Sequence, residues 1–205
     1  MMQVFRFRIL HSIGIALLML TCLAATPQSA AAQDATSFIG NLGARGLQAL
    51  SPSLPRAQQE ASFGQLLESN FDLAGIARFV LGPYSRVMSP TAQQQFQPLF
   101  RDYLARVYTT RLSRYADAPF RVTGSRPSGG ETVVTSQVWT SGGSPVEIDW
   151  HVQNRNGRFL VTDVVVDGIS MKATQRSEFA SIIQRNGGQP DALIAVLRQQ
   201  LAQSR

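Results

Sequence analysis

Two periods of apolar residues divide the chain. Up to about Asp117, and again after Gly168, apolar side chains recur at three- and four-residue steps; between Phe120 and Val166 they come in short β-branched runs separated by Gly-, Pro- and Asn-containing turns. The first region predicts a helix over Asp34–Leu50, with Phe38, Leu42, Leu47 and Leu50 on one side and a stop at Ser51-Pro52. A second helix follows the start signal Ser53-Leu54-Pro55 and presents Phe63, Leu66 and Leu67. Asp72 is placed to cap a third, Leu73–Leu81, which Gly82-Pro83 ends. Ser89-Pro90 opens the fourth and longest, running to about Tyr115. Its inner face, Phe96, Leu99, Phe100, Tyr103, Val107 and Tyr108, is unusually aromatic, with Arg101, Asp102, Ala105 and Arg106 opposite. Pro98 removes a backbone donor and predicts a kink or break between Gln94 and Pro98. Asp102 and Arg106, four residues apart, are expected to pair on the surface.

Four strands are predicted next: Phe120–Gly124, Thr132–Thr140, Val146–Gln153 and Phe159–Val166. Their connections are short, which requires an antiparallel meander. In the third, Val146, Ile148, Trp150 and Val152 alternate with Glu147, Asp149, His151 and Gln153, so Trp150 belongs to a buried face and His151 to a wet one. The fourth is apolar on both sides, Phe159, Val161 and Val165 against Leu160, Val164 and Val166, and is expected to be covered on both; Asp167-Gly168 then turns directly into helix. Helical spacing returns with Ile169, Met171, Phe179, Ile182 and Ile183 up to Asn186-Gly187-Gly188, and a last helix, Pro190–Ala202, carries Leu193, Val196, Leu197 and Leu201. The expected fold is α+β: N-terminal helices, a four-stranded antiparallel sheet and two C-terminal helices enclosing an apolar pocket.

The N-terminus changes where this domain is expected to work. Met1–Ala32 reads as a cleaved secretory signal, with Arg6 and Arg8 as its charged start, Ile9–Leu23 as its apolar core and Ala30-Ala31-Ala32 before the cut. Residues 33–205 then form a single exported domain. The one cysteine, Cys22, lies inside the signal, so the domain is stabilised by its core without disulfides. Setting Arg6 and Arg8 aside from the formal net charge of +6 leaves +4, carried by arginine apart from Lys172. An exported protein of this charge is expected to meet anionic membranes, lipid headgroups or acidic partners rather than nucleic acid.

Candidate chemistry is sparse. His151 is the single histidine after the signal, beside Glu147 and Asp149 on a polar strand face, and there is no Gly-x-Ser-x-Gly elbow and no phosphate-cradling loop followed by a helix. Glu147, Asp149 and His151 share a face, but three alternate strand residues make a poor metal set, so no metal and no catalytic group is expected. Asp163 interrupts an apolar strand and must be paired, bonded to backbone donors or turned to solvent; structural pairing is preferred to acid or base catalysis.

Phe71-Asp72, the run Ile76-Ala77-Arg78-Phe79-Val80-Leu81-Gly82-Pro83-Tyr84, the helical Phe96, Phe100, Leu104 and Tyr108, Val161-Thr162-Asp163-Val164 through Asp167-Gly168-Ile169-Ser170, and Arg176-Ser177-Glu178-Phe179 with Gly187-Gly188 together resemble the MlaC-like, toluene-tolerance type of periplasmic phospholipid-binding proteins. The family often has Trp where this chain has Ser85 and Trp-Lys where it has Phe159-Leu160, and hopanoid-associated HpnM-type proteins fit comparably well. The resemblance implies a non-enzymatic periplasmic shuttle. It would carry phospholipid, or a similar lipid such as a hopanoid, as cargo without any cofactor. Its partners would be an inner-membrane MCE-type ABC transporter and an outer-membrane lipoprotein complex.

On this reading the acyl chains lie between the sheet face of Val138, Val146, Ile148, Trp150 and Val152 and the helix face of Phe96, Phe100, Tyr103 and Val107, with Phe79 and Tyr84 also lining the pocket. Which residues of the last strand join depends on the hairpin at Asn154–Gly157. An even-length loop brings Phe159, Val161, Asp163 and Val165 to the Trp150 face, an odd one Leu160, Thr162, Val164 and Val166. The second is preferred, because it keeps Asp163 away from hydrocarbon and adds Val164 and Val166 to the site. Arg78, Arg86 and Arg176 are the expected partner-docking residues. The competing readings are an NTF2-like pocket enzyme acting on a small apolar substrate through an Asp and a Tyr, and a structural assembly factor with no pocket.

Overall fold

The computed structural model describes residues 27–139 and 143–203, with side chains placed from residue 32 onward. Residues 1–26, the greater part of the expected signal, and Thr140 therefore lie outside the described residues.

Among the described residues, six helices and one sheet make up the fold: α1 (Pro27–Ala49), α2 (Arg56–Asn70), α3 (Leu73–Leu81), α4 (Pro90–Leu112), then β1 (Phe120–Ser128), β2 (Glu131–Val138), β3 (Val146–Arg155), β4 (Arg158–Val166), β5 (Ile169–Ser170), and finally α5 (Met171–Arg185) and α6 (Ala192–Gln203). The capping residues do what their chemistry predicts. Asp72 accepts from the Gly75 amide at the start of α3, Ser89 from Ala92 at the start of α4 with Pro90 in its first turn, and Ser170 from Ala173 at the start of α5. Gly82, at a φ of 51°, ends α3. α4 runs unbroken through Pro98. Asp102 and Arg106 do not pair: Asp102 binds the neighbouring Arg101 at 2.7 Å, and Arg106 reaches across to Glu60 of α2 at 3.1 Å and to the Leu201 carbonyl of α6. A partner on a packed helix competes better than one on the same exposed face, and Arg106 thereby ties three helices together.

The sheet is antiparallel throughout, in the order β1-β2-β3-β4-β5, so it has five strands where four were expected. The extra strand arises at Asp167-Gly168. Both residues have positive φ, 47° and 80°, and a two-residue turn of that hand sends the chain back along β4 before α5 begins. β1 also runs past the expected Gly124, because an edge strand tolerates Pro127 and the true turn is Gly129-Gly130.

The β3–β4 register combines the two alternatives left open by the sequence. The hairpin turn is Asn156-Gly157, an even loop, which pairs Asn154 with Phe159 and Val152 with Val161. A bulge at Thr162 then shifts the register, so that Trp150 faces Val164 and Ile148 faces Val166, while His151 faces Asp163. Phe159, Val161, Val164 and Val166 thus all share the Trp150 face. Leu160 and Thr162 do not join it, and Asp163 points away.

Two cores result. In one, α4 turns Phe96, Phe100 and Tyr103 onto Phe179 of α5, with ring centroids 5.8–5.9 Å apart, and Leu73, Val80, Ile183, Leu193 and Leu197 complete the cluster. In the other, Ala35, Ile39 and Leu42 of α1 pack on Val134, Val152 and Val161 of the sheet. Phe71 touches both and bridges to Val161 of β4, joining helices to sheet.

Candidate functional site

The strand register places Val138, Val146, Ile148, Trp150, Val152, Val164 and Val166 on one face of the sheet, together with Phe120, Val122, Val134, Phe159 and Val161. α1 crosses this face from one corner to the other. Its Phe38 meets Phe159 at the hairpin end, with ring centroids 5.8 Å apart, and the Phe120 ring fills the space where a side chain at Gly43 would project. Val134, Val152 and Val161 are buried beneath it. The corner α1 does not cross is different: Val146, Ile148, Val164 and Val166 are only half-buried, and Ile169, opposite Val166 in register, is 59% exposed. Trp150 borders this strip with its indole N–H satisfied by Ser136 Oγ at 2.8 Å, so its ring adds apolar area without an unpaired donor.

The second expected wall is elsewhere. Phe96, Phe100 and Tyr103 are buried in the all-helical core, and Val107 and Tyr84 pack against that core rather than against the Trp150 face. In the structure the aromatic face of α4 and the Trp150 face therefore belong to separate clusters, and the sheet face is partly roofed by α1. The reason is that α5 folds back onto α4 and fills its aromatic face with Phe179 and Ile183. Burial of that face also disfavours ionisation: desolvation raises the Tyr103 and Tyr108 hydroxyl pKa above the ordinary tyrosine value. Two surface hollows, about 410 and 440 Å³, lie between α1 and α2 and at the junction of α2, α3 and α4 with β4; neither is lined by any residue of the expected lipid site.

On the opposite sheet face the polar side chains satisfy one another. Arg126 binds Asp149 at 2.7 Å and Thr135 donates to the same carboxylate at 2.6 Å; the Arg126 guanidinium holds the Asp149 carboxyl below its ordinary pKa. His151 Nδ1 lies 3.2 Å from Glu131, whose other oxygen accepts from the Thr162 hydroxyl at 2.8 Å. His151 is thus half-buried and partnered, not simply solvated, and the nearby hydroxyl donates to Glu131 rather than to an imidazole that could activate it. Among the described residues no three His, Cys, Asp or Glu side chains converge to hold a metal ion.

Asp163, only 6% exposed, accepts from its neighbour Val164 N–H at 2.9 Å, from Lys172 N–H at 3.1 Å and from Ser170 Oγ at 2.5 Å. Its oxygens are committed to the turn that joins β4, β5 and α5. These bonds tie the carboxylate to the first turn of α5, at that helix's positive end.

Of the expected docking residues, Arg78 and Arg86 are exposed on α3 and on the 3-10 turn Gly82–Arg86 that follows it. Arg176 is more closely placed: its guanidinium lies 5.3 Å from the centre of the Phe79 ring, and Lys172 Nζ lies 5.1 Å from the same ring. Phe79 is 37% exposed and is not a pocket residue of the sheet face. Sequence reasoning did not single out Lys172 beside Phe79 or the exposed Ile169. The signal that could have found Lys172 is its four-residue spacing from Arg176, which puts both cations on one side of α5.

A family model described as MlaC protein matches residues 47–199. The toluene tolerance protein ttg2D of Pseudomonas putida is 29% identical over 178 residues, covering 86% of this chain and 81% of that protein. A solved structure of a phospholipid-binding protein from Ralstonia solanacearum, in complex with a phospholipid, superposes with a TM-score of 0.68 at 23% identity, over 82% of this chain and 97% of that one.

Proposed function

The chain belongs to the MlaC family, and from that membership we propose that it is a periplasmic, non-enzymatic carrier of phospholipid or of a similar apolar lipid such as a hopanoid. The observation that carries the proposal is the half-open apolar strip of Val146, Ile148, Val164, Val166 and Ile169 beside Trp150. A soluble domain gains nothing from leaving such a strip uncovered unless something apolar covers it in use. Each methylene removed from water contributes about 0.8 kcal/mol, so an acyl chain of a dozen carbons binds tightly without polar machinery. The phospholipid named for the Ralstonia solanacearum structure and the toluene tolerance named for the Pseudomonas putida relative support a lipid cargo. The committed oxygens of Asp163 weigh against the competing enzyme reading.

In this reading Met1–Ala32 exports the chain and is removed. The carrier then exchanges cargo between an outer-membrane lipoprotein complex and an inner-membrane MCE-type ABC transporter. The exposed cations Arg78, Arg86 and Arg176 supply its positive side, and docking through them weakens as salt shortens the screening length from about 10 Å at 0.1 M to about 3 Å at 1 M.

Native mass spectrometry of protein purified from its own compartment tests the carrier. The expected result is a bound lipid of long-chain mass that organic extraction releases. Protein that arrives empty and takes up no offered lipid would overturn the reading.

A further inference from the structure

We propose that Lys172, Arg176 and the ring of Phe79 form a binding site for the phosphodiester headgroup of the carried lipid. The proposal rests on the carrier reading and adds to it a polar end that the apolar strip lacks.

Three observations converge on it. First, Lys172 Nζ and the Arg176 guanidinium are held at 5.1 and 5.3 Å from one ring centre, four residues apart on the same side of α5. Two like charges gathered on one aromatic ring repel each other, and an anion between them relieves the repulsion. Second, neither charged end makes a hydrogen bond or ion pair with any described residue. Asp163, which accepts from the Lys172 amide, is also bonded by Ser170 and the Val164 amide, and Glu178, two residues from Arg176, accepts from Gln175. The stretch from Leu73 to Arg101 contains no aspartate or glutamate at all. Third, Arg176 packs against the glycine that ends α3. Gly82 has a φ of 51°, a conformation that favours glycine, and a Cβ there would lie 3.0–3.2 Å from three atoms of the guanidinium, so the group rests close against the end of α3. An arginine fork set beside a lysine point charge matches a phosphodiester, which offers two unesterified oxygens sharing one negative charge.

The location suits a lipid. The apolar strip ends at Ile169, paired with Val166, and Lys172 follows three residues later on the first turn of α5. That short stretch of chain is what joins the strip to the two cations. Arg176 then faces cargo, which leaves Arg78 and Arg86 to the docking partner.

The test compares two monomeric fluorescent lipids with identical chains, a diacyl phosphatidylglycerol and a diacylglycerol that lacks the phosphate, on wild type, Lys172→Gln/Arg176→Gln and Arg176→Lys. The expected result is that the double variant, with an unchanged thermal midpoint, binds the phosphatidylglycerol about 10- to 100-fold more weakly and the diacylglycerol as wild type does, with Arg176→Lys intermediate for the phosphatidylglycerol. Equal affinity of wild type and double variant for both lipids would overturn the headgroup site and leave the carrier reading standing. Wild type that binds neither lipid would overturn the carrier reading itself. Weakened binding to phosphatidylglycerol vesicles with unchanged binding of the monomeric lipid would reassign the cations to membrane docking. Tight binding of inorganic phosphate alone would reassign them to free phosphate.

Discussion

Replacing Asp163 by Asn separates a structural carboxylate from a catalytic one, because the two predict opposite signs of stability change. In the structure the carboxylate accepts from the Val164 and Lys172 amides through one oxygen and from the Ser170 hydroxyl through the other, and Ser170 in turn accepts from the Ala173 amide. Asparagine retains one acceptor but turns an NH₂ toward a hydroxyl that already receives a donor. Hydrogen bonds to a charged acceptor contribute about 1 kcal/mol more than neutral ones, and a negative charge at a helix start about 0.3 to 1 kcal/mol. With the misdirected amide added, Asp163→Asn costs about 2 to 3 kcal/mol. At about 2 to 4 °C per kcal/mol for a domain of this size, the thermal midpoint falls by roughly 5 to 10 °C. Asp163→Ala, which strands two amides, costs about 4 kcal/mol. Thermal and urea unfolding followed by circular dichroism reads both. A catalytic carboxylate held in a strained setting would behave in the opposite way: an Asn variant as stable as wild type, or more so, refutes the structural assignment.

The remaining predictions address the helical tie, the buried tyrosines, the roof and the strip. Arg106→Gln removes the contacts to Glu60 and Leu201 but leaves Glu60 its 2.9 Å pair with Arg56; at about 20% exposure the loss is about 1 to 2 kcal/mol, read as a lower urea midpoint at an unchanged slope. Tyr103 and Tyr108 have their pKa raised by burial, so folding favours the protonated phenol. That contribution is fully present below the unfolded tyrosine value near 10 and is lost as pH rises through the folded one, so two of the four tyrosines should ionise late and together with unfolding in an absorbance titration. Gly43→Leu forces the Phe120 ring off its place against Trp150, where the centroids stand 6.4 Å apart, and should shift tryptophan emission to longer wavelength. Val164→Trp should narrow the strip and lower the amount of co-purified lipid while far-ultraviolet circular dichroism stays unchanged.

The elements were legible because the chain is locally consistent. Asp72, Ser89 and Gly82 mark helix ends by their own chemistry, and the alternation from Val146 to Gln153 fixes which residues share a strand face. What the sequence withheld is which faces meet. The aromatic face of α4 is compatible with sheet or helix, and its assignment to Phe179 depends on α5 folding back through a hairpin two residues long. α1 shows the same limit. Its glycines weaken the helical pattern, yet Gly43 is where Phe120 enters, a contact across 77 positions that no local period announces. The expected docking residues were read from their motifs, but the pairing of Lys172 with Arg176 on one ring is a tertiary fact.

The bulge at Thr162 is the feature that links these parts. Strand side chains alternate with period two, so in a regular hairpin Phe159 and Val161 would bring Asp163 and Val165 with them onto the Trp150 face. A charge would then sit in the middle of the apolar strip, and Val164 and Val166 would be lost to the other side. One extra residue reverses the alternation between Val161 and Val164. The hairpin end of β4 keeps Val161 under α1, its far end gives Val164 and Val166 to the strip, and Asp163 is turned to the face where the Ser170 hydroxyl and the Lys172 amide need an acceptor. Thr162 itself is not left unpaired, since its hydroxyl binds Glu131 and the His151 carbonyl. The same single insertion therefore keeps the strip apolar and fixes the start of α5, which carries the two cations past its end.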